Sequence, residues 1–216
     1  MVDADMALNK DRCVLEVVDR ALSSVIDDAV IEGERLLELK QLMGASWSPL
    51  AENVDLELGG DEARDLVANF LDITPPQDVI VRVRPWKRLD DLPYKIHTNR
   101  ELLLMLSGAK PLAVFSDDVP DNEEIELIPE ESFSPYVQEG RFVKREFRYF
   151  IGLVNIRTVL YALKEEAWRI DAWLLMRKTA DKAGWSEGFE RMEGSLLGYE
   201  DWQNDIHIEL MYRRQT

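Results

Sequence analysis

The chain contains very little cysteine and histidine. Cys13 is the only cysteine among 216 residues, so an intramolecular disulfide and a cysteine-cluster metal site are both excluded. It lies in the short apolar run 13–15, and we expect a buried structural thiol there. His97 and His207 are the only histidines, and a zinc site that used both would need carboxylates brought to them by the fold. We therefore predict no metal and no cofactor.

Long apolar runs and an excess of basic residues are also missing. No run approaches the roughly 18–20 apolar residues of a membrane span, and residues 1–12 are more acidic than basic, unlike the start of a signal peptide. These features predict a cytoplasmic protein. The net charge is −16, which disfavours nonspecific nucleic-acid binding and anionic membrane surfaces. It allows a basic protein partner or mimicry of nucleic acid.

The glycine and serine motifs of common catalytic sites are absent as well. There is no Gly-Lys-Ser/Thr phosphate loop and no Gly-x-Ser-x-Gly elbow. The catalytic candidates that remain are His207, beside Asp205 or Glu209, and the second histidine, His97, because a histidine–carboxylate pair can perform acid–base chemistry near neutral pH. An ordinary structural or surface role is the simpler interpretation of both histidines.

What is present indicates a folded α+β protein, since 46% of the residues are hydrophobic and 31% are charged. Apolar residues recur every three or four positions in Ala4–Leu42, which predicts a long N-terminal helix. Asp61–Leu71 carries a similar stripe, and the prolines after Thr74 end it, so a second helix is predicted. Both helices are expected to pack on a mainly antiparallel sheet.

The predicted sheet is centred on a meander that spans Arg141–Lys178. Alternating or β-prone residues predict strands at Arg141–Phe150, Arg157–Leu163 and Trp168–Arg177. The turns between them are short, and strands joined by short turns must be antiparallel. A C-terminal strand, Ile206–Tyr212, is expected beside the meander because its apolar residues alternate as well.

The chain is predicted to divide into a helical N-terminal part, residues 1–72, and an α+β part, residues 73–216. The two parts are expected to form one compact unit. The bases of the second part concentrate in 82–100 and 141–148. The further elements predicted outside the meander are strands at Asp78–Trp86, Pro111–Ser116 and Glu124–Ile128, a helix that begins at Thr98 with a capping box to Glu101, and a helix from Ser186 to about Leu197.

The polar side of the meander is the predicted binding surface. If the polar faces of its first and third strands coincide, basic, acidic and tryptophan side chains share one rigid surface, and Trp and Arg dominate binding hot spots. An exposed cross-strand salt-bridge ladder is the alternative. The residues assigned to this surface are Lys144, Arg148, Arg169, Asp171, Trp173 and Arg177, with Trp202 at its rim.

Three functions remain open at this stage. The leading hypothesis is a non-enzymatic acidic binding protein, such as an inhibitor, an immunity-like factor or an adaptor, that engages a protein partner. The second is an enzyme of unknown reaction, a hydrolase or transferase that uses Asp/Glu and His207. The third is an oligomeric scaffold in which copies associate through the N-terminal helix.

Overall fold

The computed structural model describes residues 12–44, 56–74, 78–118, 128–151 and 154–213. The chain forms two compact units, Met1–Arg100 and Glu101–Thr216. Within the described ranges the strands are β1 Arg12–Asp19, β2 Ser24–Glu32, β3 Leu56–Gly59, β4 Val79–Pro85, β5 Leu112–Asp118, β6 Phe142–Ile151 and β7 Val154–Leu163. The α-helices are α1 Gly33–Met43, α2 Gly60–Phe70, α3 Glu101–Leu106, α4 Glu130–Gln138, α5 Trp168–Ala183, α6 Glu187–Leu196 and α7 Asp201–Ile208. The predicted α+β class and its antiparallel pairing are confirmed.

The first unit is built on an antiparallel sheet of four strands in the order β2-β1-β4-β3. One face of this sheet packs on α1 and α2, with Leu15, Val81 and Val83 of the strands meeting Leu66 and Phe70 of α2 in one apolar core. Successive side chains of a strand point to opposite faces. Glu16, Arg82 and Arg84 therefore lie on the other face, away from the two helices.

The prediction of a long N-terminal helix is wrong. Residues 12–32 form the hairpin β1–β2, closed by the turn 20–23, and the first helix, Gly33–Met43, is short and follows the strands. β1 is buried on both faces along Cys13–Val18, so its apolar run shows no alternation. A buried strand cannot be told from a buried helix by periodicity alone, but the β-branched valines and isoleucines of this hairpin favour strands.

Two other predicted elements of the first unit are confirmed. The second helix is α2, and the strand predicted at Asp78–Trp86 is β4, whose residues alternate between buried and partly exposed. The boundary predicted at 72/73 falls between α2 and β4, and both of these elements belong to the first compact unit. β4 pairs with β1 and β3, so the sheet of this unit is completed by residues beyond position 73.

The second unit contains an antiparallel sheet in the order β5-β7-β6. One face packs on α5, where Leu160 and Ala162 of β7 meet Ile170, Trp173 and Met176. The opposite face packs on α4 through an aromatic cluster in which the Phe133 ring lies 4.4 Å from the Tyr161 ring. Because both faces are covered, β7 is buried along Thr158–Ala162 without alternation.

Two of the predicted strands of this unit are helical. Trp168–Arg177 begins α5, in which the buried positions Ile170, Trp173, Met176 and Ala180 follow helical spacing. Ile206–Tyr212 completes α7 and continues as a π-helical turn over Glu209–Arg213. A ten-residue segment can satisfy the two-residue and the 3.6-residue period together, and burial in the folded chain decides between them. The predicted meander of three strands is therefore reduced to the hairpin β6–β7. The third strand of the sheet is β5, which pairs with the other edge of β7.

The remaining predictions of the second unit have mixed outcomes. The strands at Pro111–Ser116, Arg141–Phe150 and Arg157–Leu163 are confirmed as β5, β6 and β7, and the helix after Ser186 is confirmed as α6. The helix predicted from Thr98 begins at Glu101. The edge strand predicted at Glu124–Ile128 lies, except for its last residue, outside the described residues. Across the ranges that the structure describes, no helix has the length and apolarity needed to cross a membrane.

Candidate functional site

The helices α5, α6 and α7 pack against one another in chain order within the second unit. Arg169 of α5 donates hydrogen bonds from Nη1 to the carbonyl oxygens of Ser195 (2.9 Å) and Leu196 (3.3 Å), at the end of α6. A cation is favourable there because it meets the negative end of the helix dipole. Gly194 allows α7 to approach α6, since a Cβ at that position would collide with the buried amide of Asn204. These contacts hold the three helices in place.

Glu190 of α6 lies at the centre of a cluster of aromatic donors. Its Oε1 is 3.0 Å from Nε2 of His207, and its Oε2 accepts hydrogen bonds from Trp185 Nε1 (2.5 Å) and the Tyr212 hydroxyl (3.4 Å). The hydrogen bond from His207, followed by that from Trp185, holds the pKa of Glu190 below its ordinary value, although burial acts in the opposite direction. Glu190 is therefore a carboxylate at neutral pH, with both oxygens engaged.

Arg177 of α5 lies close to the rings of two tryptophans, Trp173 and Trp185. Its guanidinium carbon is 4.9 Å from the centre of the Trp185 ring and 5.6 Å from the centre of the Trp173 ring, both within the range of cation–π attraction. Trp173 is buried and donates from Nε1 to Glu193 Oε1 at 2.9 Å. Burial raises the pKa of Glu193 despite this hydrogen bond. Trp185, Arg177 and Trp173 thus form a stack, and the buried Trp173 ring holds its inner end.

The residues around Glu190 form a surface, here called the Glu190 surface, that combines exposed aromatic side chains with negative charge. Trp185 and Tyr212 keep 40% and 41% of their surface exposed, and Met192 and Met211 are exposed as well. Residues 185–213 contain seven carboxylates and two arginines. The Glu190 surface consists of Trp173, Arg177, Trp185, Phe189, Glu190, Glu193, His207 and Tyr212.

The catalytic candidates have different partners in the structure. The carboxylate that contacts His207 is Glu190 of another helix. Asp205 instead accepts a hydrogen bond from Arg191 at 2.6 Å. His97 belongs to the first unit, where its carbonyl oxygen accepts the amide N–H of Arg100. A histidine–carboxylate pair does exist, but it does not include the neighbours that sequence proximity indicated.

The structure does not bring all the predicted binding residues onto one surface. Lys144 and Arg148 of β6 lie on the face of the sheet that meets α4, where Lys144 contacts Glu130 and Arg148 Nε lies 3.2 Å from Glu146 Oε1. Asp171 of α5 contacts Arg145, which points to the opposite face of β6. The expected alignment required residues 168–177 to be a strand. Because they form a helix, the sheet separates the two groups.

The other predicted binding residues lie on α5 and α7. Trp173 and Arg177 belong to the Glu190 surface, whereas Arg169 binds Glu166 at 2.7 Å and the end of α6. Trp202 is exposed on α7, and its Nε1 donates to Glu200 Oε2 at 2.9 Å. Two binding candidates and one catalytic candidate, His207, therefore come together around a residue that the sequence reasoning did not select.

Glu190 and Trp185 are the residues that were missed, although a signal for them was present. Once residues 186–197 are taken as a helix, Glu187, Glu190 and Glu193 recur every third residue and share one face. Trp185 directly precedes the first turn of that helix. Nothing in the sequence indicates that His207 and Tyr212 reach the same face, because residues 206–212 were taken for a strand.

Comparisons with known proteins do not assign this site. Protein-family models, curated proteins and solved structures give no significant match to the chain. Within the residues that the structure describes, no group of three or more His, Cys, Asp or Glu side chains is arranged to hold a metal ion. The chemistry of the Glu190 surface is therefore interpreted from its own geometry.

Proposed function

We propose that this chain is an acidic binding protein that engages a basic protein partner through the Glu190 surface. The observation that supports the proposal is the exposed stack of Trp185 on Arg177, supported from beneath by buried Trp173. Trp, Tyr and Arg are enriched among residues that dominate binding energy, and rigid aromatic side chains lose little conformational entropy on binding. The stack joins Trp173 and Arg177 of α5 to Trp185, which lies in the short connection between α5 and α6.

The charge around the stack determines the chemistry of the partner. Seven carboxylates against two arginines in residues 185–213 favour a partner segment that carries Lys or Arg next to apolar side chains. Charge complementarity of this kind accelerates association and is screened by salt. We therefore expect an interface in which apolar anchors supply affinity and acidic residues supply partner selection.

The enzyme alternative rests on the contact between His207 and Glu190. A general base is most effective when its pKa lies near the working pH, whereas the pKa of Glu190 is lowered by the hydrogen bond from His207. Both oxygens of Glu190 are also engaged by donors. These features favour a structural role for the pair, so we retain binding as the proposed function. The scaffold alternative required a long N-terminal helix, and residues 12–32 form strands instead.

The test is affinity capture with matched tryptophan variants. Trp185→Ala removes the outer ring of the stack, while Trp168→Ala removes an exposed tryptophan at the start of α5 that lies over Arg169. We expect wild-type protein and Trp168→Ala to recover the same basic protein, and Trp185→Ala to recover at least about tenfold less of it, since hot-spot truncations cost 2 kcal/mol or more.

Calorimetry with the recovered protein should then show an affinity that falls as salt rises. Equal recovery by all three proteins would contradict the assignment of this surface. A partner that is acidic, or whose affinity does not depend on salt, would contradict the proposed chemistry. Thermal unfolding of each variant checks that the fold is retained.

A further inference from the structure

A cavity of about 330 Å³ lies in the first unit, on the face of its sheet that is turned away from α1 and α2. Glu16 of β1 with Arg82 and Arg84 of β4 forms its floor, and the segment 87–100 supplies most of its walls. The volume is in the lower part of the range for small-molecule sites. Neither the proposed partner binding nor the catalytic candidates make use of this cavity.

The segment that covers the cavity is attached to the sheet at both ends. Near its start, Arg12 of β1 binds Asp91 at 2.9 Å and lies over the Trp86 ring. Near its end, the carbonyl oxygen of Asn99 accepts the amide N–H of Val25 of β2 at 2.6 Å. The cavity is therefore part of the folded unit, because its cover is held by contacts to two different strands.

Cations outnumber carboxylates among the residues that line the cavity. Glu16, Asp28 and Asp90 face five cations there, and the carboxylates are shared. Asp28 contacts both Lys95 and Arg100. The lining cations are Arg82, Arg84, Lys87, Lys95 and Arg100. The lining alone therefore carries two more cations than carboxylates, although Arg84 also binds Asp90 and Arg82 is paired with Glu57 outside the lining.

Arg82 and Arg84, the cations of the cavity floor, both form ion pairs with Glu16. Its Oε1 accepts a hydrogen bond from Arg84 Nε at 2.7 Å, while its buried Oε2 lies 3.5 Å from Arg82 Nη1 without a hydrogen bond. Arg82 binds Glu57 with Nε and Nη2. At the opening, burial lowers the pKa of Lys95, although Asp27, Asp90 and Glu16 act in the opposite direction. The desolvation of Lys95 thus outweighs the carboxylates around it.

Most of the remaining lining residues are apolar. Leu89, Leu92, Ile96 and the ring of Tyr94 contribute to the walls, together with Val25 and Val30 of β2. Binding sites for small organic molecules typically combine such walls with a few polar groups that fix orientation. We propose that this cavity binds a small organic anion whose carboxylate, sulfonate or phosphate head meets the cations and whose apolar or aromatic body lies against the walls.

The proposal can be tested with two fluorescent probes that share their rings and differ by one sulfonate group. The anionic probe is 8-anilinonaphthalene-1-sulfonate, and the neutral probe is N-phenyl-1-naphthylamine, which has the same rings without the sulfonate. The variant Lys87→Gln/Lys95→Gln removes two cations of the lining whose side chains are exposed. It breaks the pair between Lys95 and Asp28 but keeps the contacts of Asp28 with Arg100 and of Glu16 with Arg84. The control Lys40→Gln removes a lysine of α1, on the opposite side of the sheet.

We expect the wild-type protein to bind the sulfonate more tightly than the neutral probe. The double variant should weaken sulfonate binding about tenfold, because each partly exposed charge contributes up to about 1 kcal/mol, and should change neutral-probe binding less than about twofold. Lys40→Gln should behave like wild type. Amide NMR shifts caused by the sulfonate should locate it at residues 87–100, in the wild-type protein and in the control.

Three results would overturn the proposal. The first is equal affinity of the wild-type protein for the two probes, which would show that the site does not select for negative charge. The second is a sulfonate affinity that the double variant leaves unchanged. The third is a set of NMR shifts that lie outside 87–100 and the facing strands, which would place the binding elsewhere. The thermal midpoint of the double variant should stay close to that of wild type, because Lys87 is exposed and the pair that Lys95 makes with Asp28 is exposed on the lysine side.

Discussion

The sheets of the two units differ in what covers their second face. In the first unit, apolar residues of the sheet pack on α1 and α2, while Glu16, Arg82 and Arg84 form ion pairs on the other face beneath the segment 87–100. In the second unit, apolar side chains of the sheet pack on α5 at one face and on α4 at the other, where Lys144 also contacts Glu130 and Glu146 also binds Arg157. The charged face of the first sheet borders a cavity, whereas helices pack on both faces of the second sheet.

This difference explains why the two proposed sites have different forms. A charged cavity suits a small ligand, and exposed aromatic side chains on packed helices suit a protein partner. The predictions that follow test whether the two sheets depend on their second faces in different ways.

Phe133→Ala should cause the largest loss of stability, because it removes the ring that α4 places on the second face of the β5-β7-β6 sheet. Phe133 is fully buried, with its ring centre 5.4 Å from that of Phe115 and 4.4 Å from that of Tyr161. A buried Phe→Ala change costs about 3–5 kcal/mol. Urea unfolding measures the loss, and a cost below about 1 kcal/mol would show that α4 is not needed to cover the sheet.

Glu16→Ala should cost about 3 kcal/mol, because it leaves Arg84 and Arg82 beside a vacated, buried position. Glu16→Leu is the matched comparison: it also removes the charge but fills the space with an apolar side chain. If the ion pairs hold the second face of this sheet, both variants lose stability, as measured by urea unfolding. If Glu16→Leu is as stable as wild type, apolar packing can replace the ion pairs in stabilising this face of the sheet.

Lys110→Met should stabilise the protein by about 2 kcal/mol at pH 7. Lys110 is buried in the second unit, where burial lowers its pKa to about 8 from 10.5, and Nζ lies 3.5 Å from the carbonyl oxygen of Leu197. The shift corresponds to roughly 3 kcal/mol, from which about 1 kcal/mol is subtracted for the lost hydrogen bond.

The pH dependence follows from the sign of this shift. The folded protein favours the neutral amine, so the cost of burying Lys110 is present in full below pH 8 and is relieved as pH rises from about 8 to 10.5. Urea unfolding at a series of pH values should show the advantage of the methionine variant shrinking over this range. An advantage that is constant with pH would contradict the assignment to Lys110.

His207→Phe should have the smallest effect, about 1 kcal/mol at neutral pH, because it removes one hydrogen bond to Glu190. The pKa of Glu190 should rise towards its ordinary value, which carboxyl NMR measures directly. Since the folded pKa of Glu190 is lowered, its stabilising contribution is present above its ordinary pKa and is lost as pH falls through the folded one. Asp205→Asn is the control, because Asp205 binds Arg191 instead, and it should leave the Glu190 pKa unchanged.

The success of the sequence predictions depended on how each segment is buried. The strand Val79–Pro85 was predicted correctly because one of its faces is apolar and the other carries arginines, so its period is visible. Arg12–Asp19 and Trp168–Arg177 were assigned to the wrong element. The first is buried on both faces and lacks the two-residue alternation of a half-buried strand. The second satisfies both the strand period and the helix period, with Ile170, Trp173 and Met176 on its buried side. Local pattern cannot resolve either case.

The sequence by itself determined the antiparallel α+β class, the strands β4 to β7, the helices α2 and α6, and the separation of basic residues into 82–100 and 141–148. These features follow from local spacing, turn residues and composition. Only the tertiary structure decided that residues 168–177 are a helix, that His207 contacts Glu190, and that the bases of 82–100 surround a cavity. Each of these depends on contacts between residues distant in the chain, and the energy of such contacts is not encoded in local periodicity.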